Sequence, residues 1–344
     1  MNWRLLFQIA LFFVPLLESA GVSADITAKT LAVIVNKSDP LSIRIAEYYK
    51  RVRGIPEKNI IEIELDKTKT VISPAIFKKI KRAVDDSTPE RVQGFVLTWV
   101  KPYRVGCMSI TSAFAFGFDK AYCSTGCGET KMSVYYNSET KFPYTHYKMR
   151  PTVSLAALTF NQAKKLIDRG KLSDSTFPPG TGYLVSTSDK ERNVRSVNYQ
   201  YIVRTFPRLP HLKIVHADYI ENRRDVLFYF TGLKYVPKIG TNHFLPGAIA
   251  DHLTSTGGML TDSKQMSSLK WLQLGATGSY GTVVEPCNFR QKFPNPAIVI
   301  KRYTNGETLM EAYWKSVAWP GEGIFIGEPL ASPFKSLSKE VYQK

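Results

Sequence analysis

The chain has 344 residues, enough for one large domain or two medium ones, and its 44% hydrophobic content excludes a disordered polymer. Its 46 Lys and Arg against 29 Asp and Glu leave a formal charge of +17. That balance favours an anionic envelope polymer or a protein partner, while the short Lys/Arg runs match no nucleic-acid-binding motif.

The first segment, MNWRLLFQIALFFVPLLESAGVSA, places Arg4 before an apolar run at residues 5–17, with Val22 and Ala24 at small-residue cleavage positions. This is the layout of a secretory signal peptide over 1–24, with a mature chain starting near Asp25. The run is shorter than the roughly 20 residues that span a bilayer, and no later stretch is long enough. The expected address is therefore export, periplasmic or secreted, from a bacterium.

The mature chain opens on the strand LAVIVNK (31–37). Asp39 then supplies an N-cap and Pro40 a first helical residue. Leu41, Ile45, Tyr48, Tyr49 and Val52 share one helix face, and Gly54 stands where a C-cap glycine belongs. NIIEIEL (59–65) alternates as a strand, 73–86 reads as a helix, and VQGFVLTWV (92–100) as a strand buried on both faces. Residues 101–150 break the pattern: an aromatic, glycine-containing excursion that holds three cysteines. KMRPTVSLAALTF leads into a helix at 161–169, followed by the strand GTGYLVSTS, a helix at 194–205 and the strand HLKIVHAD. DVLFYFTG (225–232) is another buried strand, then a Gly/Pro loop runs to Pro246. PGAIADHLTSTGG reads as a helix opening after Pro246, and SSLKWLQLG as another. GSYGTVVEPC is a strand, ETLMEAYWKSV a helix and GIFIGEPL the closing strand. Alternation from end to end predicts an α/β fold, with a mostly parallel sheet flanked by helices on both faces. A lobe at 25–150, carrying the excursion 101–150, and a second at 151–344 would meet near Pro151.

Four cysteines in an exported chain permit two disulfides by three pairings, and the crowding of Cys107, Cys123 and Cys127 favours one local bridge. No histidine lies close enough in sequence to make a zinc site of them, so no metal and no cofactor is expected. Cys287 has three readings: nucleophile, half-disulfide, or packing at a turn. As a nucleophile it would need a base, and His252, oriented by Asp251 or Glu285, is one candidate. His243, in a Gly/Pro-flanked loop, is a second. Glu285 and Glu328 each follow a strand and precede Pro. If those strands are parallel, both carboxylates emerge at one sheet edge, where Asn36 would join them as a binding group. Walker, GxGxxG, HExxH and GxSxG motifs are absent from the sequence, which removes the commoner nucleotide, zinc-protease and α/β-hydrolase readings.

Two resemblances follow from these stretches. VIVNKSDPLSIRIAEYYKRVRGIP, CMSITSAFAFGFD, PGAIADHLTSTGG, GATGSYGTVVEPC and GIFIGEPLASPF resemble an uncharacterised family of exported bacterial proteins. The second half is also similar to the gingipain-like branch of the caspase–gingipain superfamily, the clan CD peptidase-like fold. In that branch one strand ends in a catalytic His and the next in a catalytic Cys, before a closing GDP loop. The resemblance sets DVLFYFTG at the first strand and IFIGEPLASPF at the closing loop, with Glu328 for Asp. It also implies a three-layer arrangement with a cysteine-containing insertion. The chain departs from the pattern at the dyad. Phe230-Thr231-Gly232 stands for Gly-His-Gly, and KIGTNHFLP (238–246), expected to hold the nucleophile, has no cysteine. Two readings stay open: a non-catalytic or divergent peptidase-like module that binds an anionic polymer or protein, and a divergent cysteine hydrolase using Cys287 with a histidine.

Overall fold

The computed structural model describes residues 26–124, 126–206 and 211–336. The expected export signal lies outside them. β1 (Leu31–Asn36) is buried along its whole length. α1 (Pro40–Arg53) begins where Asp39 Oδ1 accepts the Leu41 N–H at 3.0 Å, and it ends at Gly54, whose φ of 67° is the left-handed cap conformation. β2 (Ile60–Ile63), the short β3 (Val71–Ile72), α2 (Pro74–Ser87) and β4 (Gly94–Leu97) follow. Ser73 caps α2 by accepting the Ile76 N–H, with Pro74 next to it.

Residues 101–150 form the crossover between β4 and the next strand of the sheet, β7 (Thr152–Ser154). Within it β5 (Arg104–Val105) and β6 (Met108–Ser109) pair with β3 as a small second sheet, and α3 (Ile110–Phe116) and α4 (Pro143–Tyr147) follow. The Cys107–Cys123 disulfide closes it locally, as the crowding predicts. Hydroxyls bind it to the body: Ser109 and Ser112 donate to the carbonyls of Gly323 and Pro320.

After β7 come α5 (Phe160–Ser173), β8 (Thr181–Ser186), α6 (Tyr199–Thr205), β9 (His211–His216), β10 (Val226–Gly232) and β11 (Phe244–Leu253). α7 (Leu269–Gln273), β12 (Gly278–Thr282), α8 (Pro296–Thr304), α9 (Leu309–Ser316) and β13 (Gly323–Gly327) complete the chain. No described helix is long and apolar enough to cross a membrane. The helix expected at 194–205 divides into a 3-10 turn at Asn193–Asn198 and α6. α8, whose start Asn295-Pro296 is a cap followed by Pro at the first turn, is an addition to the elements expected.

PGAIADHLTSTGG is not a helix; its first half is the strand β11. Asp251 and His252 are both buried and partnered inside the protein. With those charges satisfied, 247–253 is a continuous buried run of the kind a central strand requires.

The main sheet has ten strands in the order β2-β1-β4-β7-β13-β12-β11-β10-β8-β9. Every neighbouring pair is parallel except β12 with β13, where Gly278 faces Gly327 and Thr282 faces Gly323. The sheet therefore consists of two parallel halves running in opposite directions. Each end of it carries the carboxyl ends of one half and the amino ends of the other. This corrects the expectation for the two Glu-Pro corners. Glu285 follows β12 and Glu328 follows β13, so they emerge at opposite ends of the sheet. The sheet passes without a break through β7, beside Pro151, where a lobe boundary was expected.

Candidate functional site

In open α/β sheets ligands bind beyond the carboxyl ends of strands, so each half offers one end. At one of these ends Glu328 and Asn36 are enclosed by protein. Glu328 is fully buried, accepting from Tyr49 OH at 2.8 Å and Arg53 Nε at 3.0 Å, with Arg53 Nη2 on its second oxygen. Asn36 is buried too: its amide donates to Leu65 O at 3.0 Å and its oxygen accepts the Leu65 and Ser38 N–H groups. Neither faces a ligand space; both fix loops to the sheet.

At the other end β10 stops at Thr231-Gly232. Arg195, buried on the 3-10 turn, donates to Thr231 O at 2.6 Å and pairs with Asp251 Oδ1 at 2.7 Å. Burial pushes the Asp251 carboxyl up, and the guanidinium opposes that shift. The turn lies so close to the strand that a Cβ on Gly232 would collide with the Arg192 carbonyl.

His252, next along β11, is fully buried. Its Nδ1 accepts from Trp271 Nε1 at 2.9 Å, and Nε2 donates to Met266 O at 3.0 Å. Both ring nitrogens are thus engaged, in the neutral tautomer with the proton on Nε2. Burial lowers its pKa from 6.5 to about 4. An unfolded histidine binds a proton below about pH 6.5, whereas the folded one stays neutral until about pH 4. Stability from this ring is therefore complete above pH 6.5 and is lost as pH falls toward 4, by about 3 kcal/mol in all. Urea unfolding at pH 7 and pH 4 should show a loss larger in the native chain than in His252→Gln by about that amount. Equal losses would mean that the ring is not held neutral.

β11 is followed by Thr254-Ser255-Thr256, braced by Gln265, whose oxygen accepts from Thr254 Oγ1 at 2.6 Å and the Thr256 N–H at 3.0 Å. Ser255 stands just beyond the end of this strand. Beyond it, Ser255, Leu253, Glu191, Arg192, Glu285 and Asn288 line a recess of about 260 Å3, walled on one side by a disulfide between Cys127 and Cys287. The excursion thus reaches across the molecule to the carboxyl ends of β11 and β12. Cys287 has a φ of 54°, in the left-handed region, and its N–H donates to Glu285 Oε1 at 2.8 Å.

The structure therefore takes the half-disulfide reading of Cys287. It supplies no thiol, and His252 supplies no free base, so the two do not form a dyad. His243 is exposed at the start of β11, the opposite end of that strand, with Nδ1 at 3.3 Å from Arg224 O. Of the residues singled out from the sequence, only Glu285, Cys287 and Cys127 meet at this recess. Glu191, Arg192, Ser255 and Asn288 were missed. Their signal was position alone: each follows a strand of the same half.

Electrostatically the recess differs from the rest of this basic chain. Arg192 is matched by Asp189 at 2.9 Å and donates through Nε to Thr254 Oγ1 at 3.2 Å. Asn288 Nδ2 donates to Glu191 Oε2 at 3.3 Å. The carboxylates of Glu191 and Glu285 remain without a cationic partner among the described residues. The arrangement can hold a cationic group, with amide and hydroxyl donors beside it. Among the described residues no group of three His, Cys, Asp or Glu could hold a metal ion.

Solved structures similar to this chain include the Arg-specific cysteine proteinase gingipain R, at 11% identity and a TM-score of 0.50, over 89% of this chain and 78% of that one. Another is described as a protease, at 9% identity and a TM-score of 0.51, covering 91% and 80%. At such identities the likeness shows the fold: a gingipain/caspase-like α/β sheet. No family model matches the chain, and no curated protein does.

Proposed function

We propose that this chain is an exported, peptidase-like module that binds a protein partner without cleaving it. The recess beyond β11 and β12 takes a cationic side chain of that partner. The observation that carries this reading is the chemistry at the recess. The recess presents Ser255, two carboxylates without a cationic partner among the described residues, and an oxidised cysteine pair. A recess of about 260 Å3 is close to the lower limit for small-ligand sites, which suits one side chain better than a whole cofactor. The two disulfides agree with an oxidising compartment. An anionic polymer fits the overall charge but not this acidic recess.

Calorimetry of the mature chain with blocked tripeptides centred on Arg, citrulline or Glu tests the reading. The Arg peptide should bind, the citrulline peptide about tenfold more weakly, and the Glu peptide not at all. Glu285→Gln should weaken the Arg peptide by about fivefold to tenfold, and mass spectrometry should recover every peptide intact. Equal affinity for Arg and citrulline peptides would end the proposal. Cleavage appearing on reduction and lost in Cys287→Ser would establish the hydrolase instead.

A further inference from the structure

The opposite end of the sheet holds a second recess, of about 320 Å3, between α5 and α7. Because the two halves run in opposite directions, β8 starts at the end where β7 stops. α5, which joins them, meets that end, and α7 arrives there just before β12. The recess therefore lies away from the acidic one and shares no residue with it.

Its charge is of one sign. Lys165 and Arg169 line it, with the amides of Asn161, Gln162 and Gln273, and no acidic side chain does. Asp168, beside them in sequence, is engaged elsewhere, by Lys164 at 2.5 Å and Tyr48 OH at 2.6 Å. Arg169 is anchored rather than neutralised. Its Nη2 donates to the carbonyls of Leu272 and Ala276, while Nε has no hydrogen-bond partner among the described residues. Burial without a counter-charge lowers this guanidinium to about 10. A half-buried arginine matched only by carbonyls gains most from an anion that can reach it.

We propose that this recess binds a phosphorylated sugar or a phosphomonoester of that size. Arg169 and Lys165 hold the phosphate, and the three amides hold hydroxyl groups. Inorganic phosphate alone would fill only a fraction of the space, since one water occupies about 30 Å3 of liquid. The amides beyond the cations are what a sugar would add.

Calorimetry on the full mature chain, with glucose 6-phosphate, glucose and inorganic phosphate as probes, tests this. Glucose 6-phosphate should bind at least about tenfold more tightly than glucose and measurably more tightly than phosphate. Lys165→Ala should weaken it by about fivefold to tenfold and Arg169→Gln further, whereas Lys164→Ala should leave it unchanged. Lys165 is exposed, so its variant remains informative even if Arg169→Gln fails to fold. No heat with either phosphorylated probe at millimolar concentration would overturn the proposal, and so would wild-type affinity in Lys165→Ala. Phosphate binding as tightly as glucose 6-phosphate would overturn the sugar assignment. These outcomes are separate from those for Glu285, because the probes and the residues differ.

Discussion

Replacing Cys127 and Cys287 together with Ser should lower unfolding stability by about 3–5 kcal/mol and shift the urea midpoint accordingly, with little change in secondary structure. The reason lies in what the bond joins. It connects the tip of the excursion to the corner after β12, across a sequence separation of 160 residues. In the chain-entropy account, cross-linking so long a loop removes more disorder from the unfolded chain than a short one does. The Cys107–Cys123 bond, with a separation of 16, should contribute less, about 3 kcal/mol. Cys287 also sits with φ at 54°, a conformation costing of order 1 kcal/mol in a residue with a Cβ. That cost remains in the Ser variant, so Cys287→Gly paired with Cys127→Ser should recover part of the loss. Adding reductant to the native chain should lower stability further than the double variant does, because it opens Cys107–Cys123 as well. Unchanged stability of the double variant, with both thiols labelling rapidly in the native chain, would refute the role assigned to this bond.

The same bond shows how much of the site the sequence disclosed. Local punctuation was legible: Asp39, Pro40 and Gly54 delimit α1 where capping chemistry places them. Buried apolar runs marked β1, β4, β10 and β13, and an even count of four cysteines allowed two bridges. What the sequence hid was non-local. Asp251 and His252 looked polar because their partners, Arg195 and Trp271, come from other segments; inside the fold they fit a fully buried strand. The reversal between β12 and β13 is set by α8 and α9, and no residue of either strand records it. Hence Glu285 and Glu328, alike in their Glu-Pro setting, differ in burial, partners and sheet end. One lines an open recess and the other is locked in the interior.

That difference yields the second large effect. Glu328→Ala should destabilise the chain by about 3–5 kcal/mol, because it leaves Arg53 buried beside an empty carboxylate position. Arg53 makes bonds to both Glu328 and Asp174, and its side chain is only 5% exposed. Asp174 remains in the variant, which limits the loss, but the Tyr49 hydroxyl also loses its acceptor. Gly170 packs directly over Glu328, so the backbone of α5 has no side chain there to fill the space. Glu328→Gln, which keeps the volume and an acceptor for Tyr49, should cost roughly half as much. The double variant Arg53→Met with Glu328→Met should be less destabilised than Glu328→Ala, since it leaves no fully buried charge unpaired and the partly exposed Asp174 keeps Lys171 at 3.4 Å. Urea unfolding of the three variants measures this ordering. A loss under about 0.5 kcal/mol for Glu328→Ala would place the carboxylate outside the structural core. Peptide calorimetry on the same proteins then separates the two corners. Glu328→Ala, once folded at low temperature, should bind the Arg peptide as the native chain does, while Glu285→Gln should weaken binding with stability unchanged. The reverse pattern would exchange the roles assigned to the two ends of the sheet.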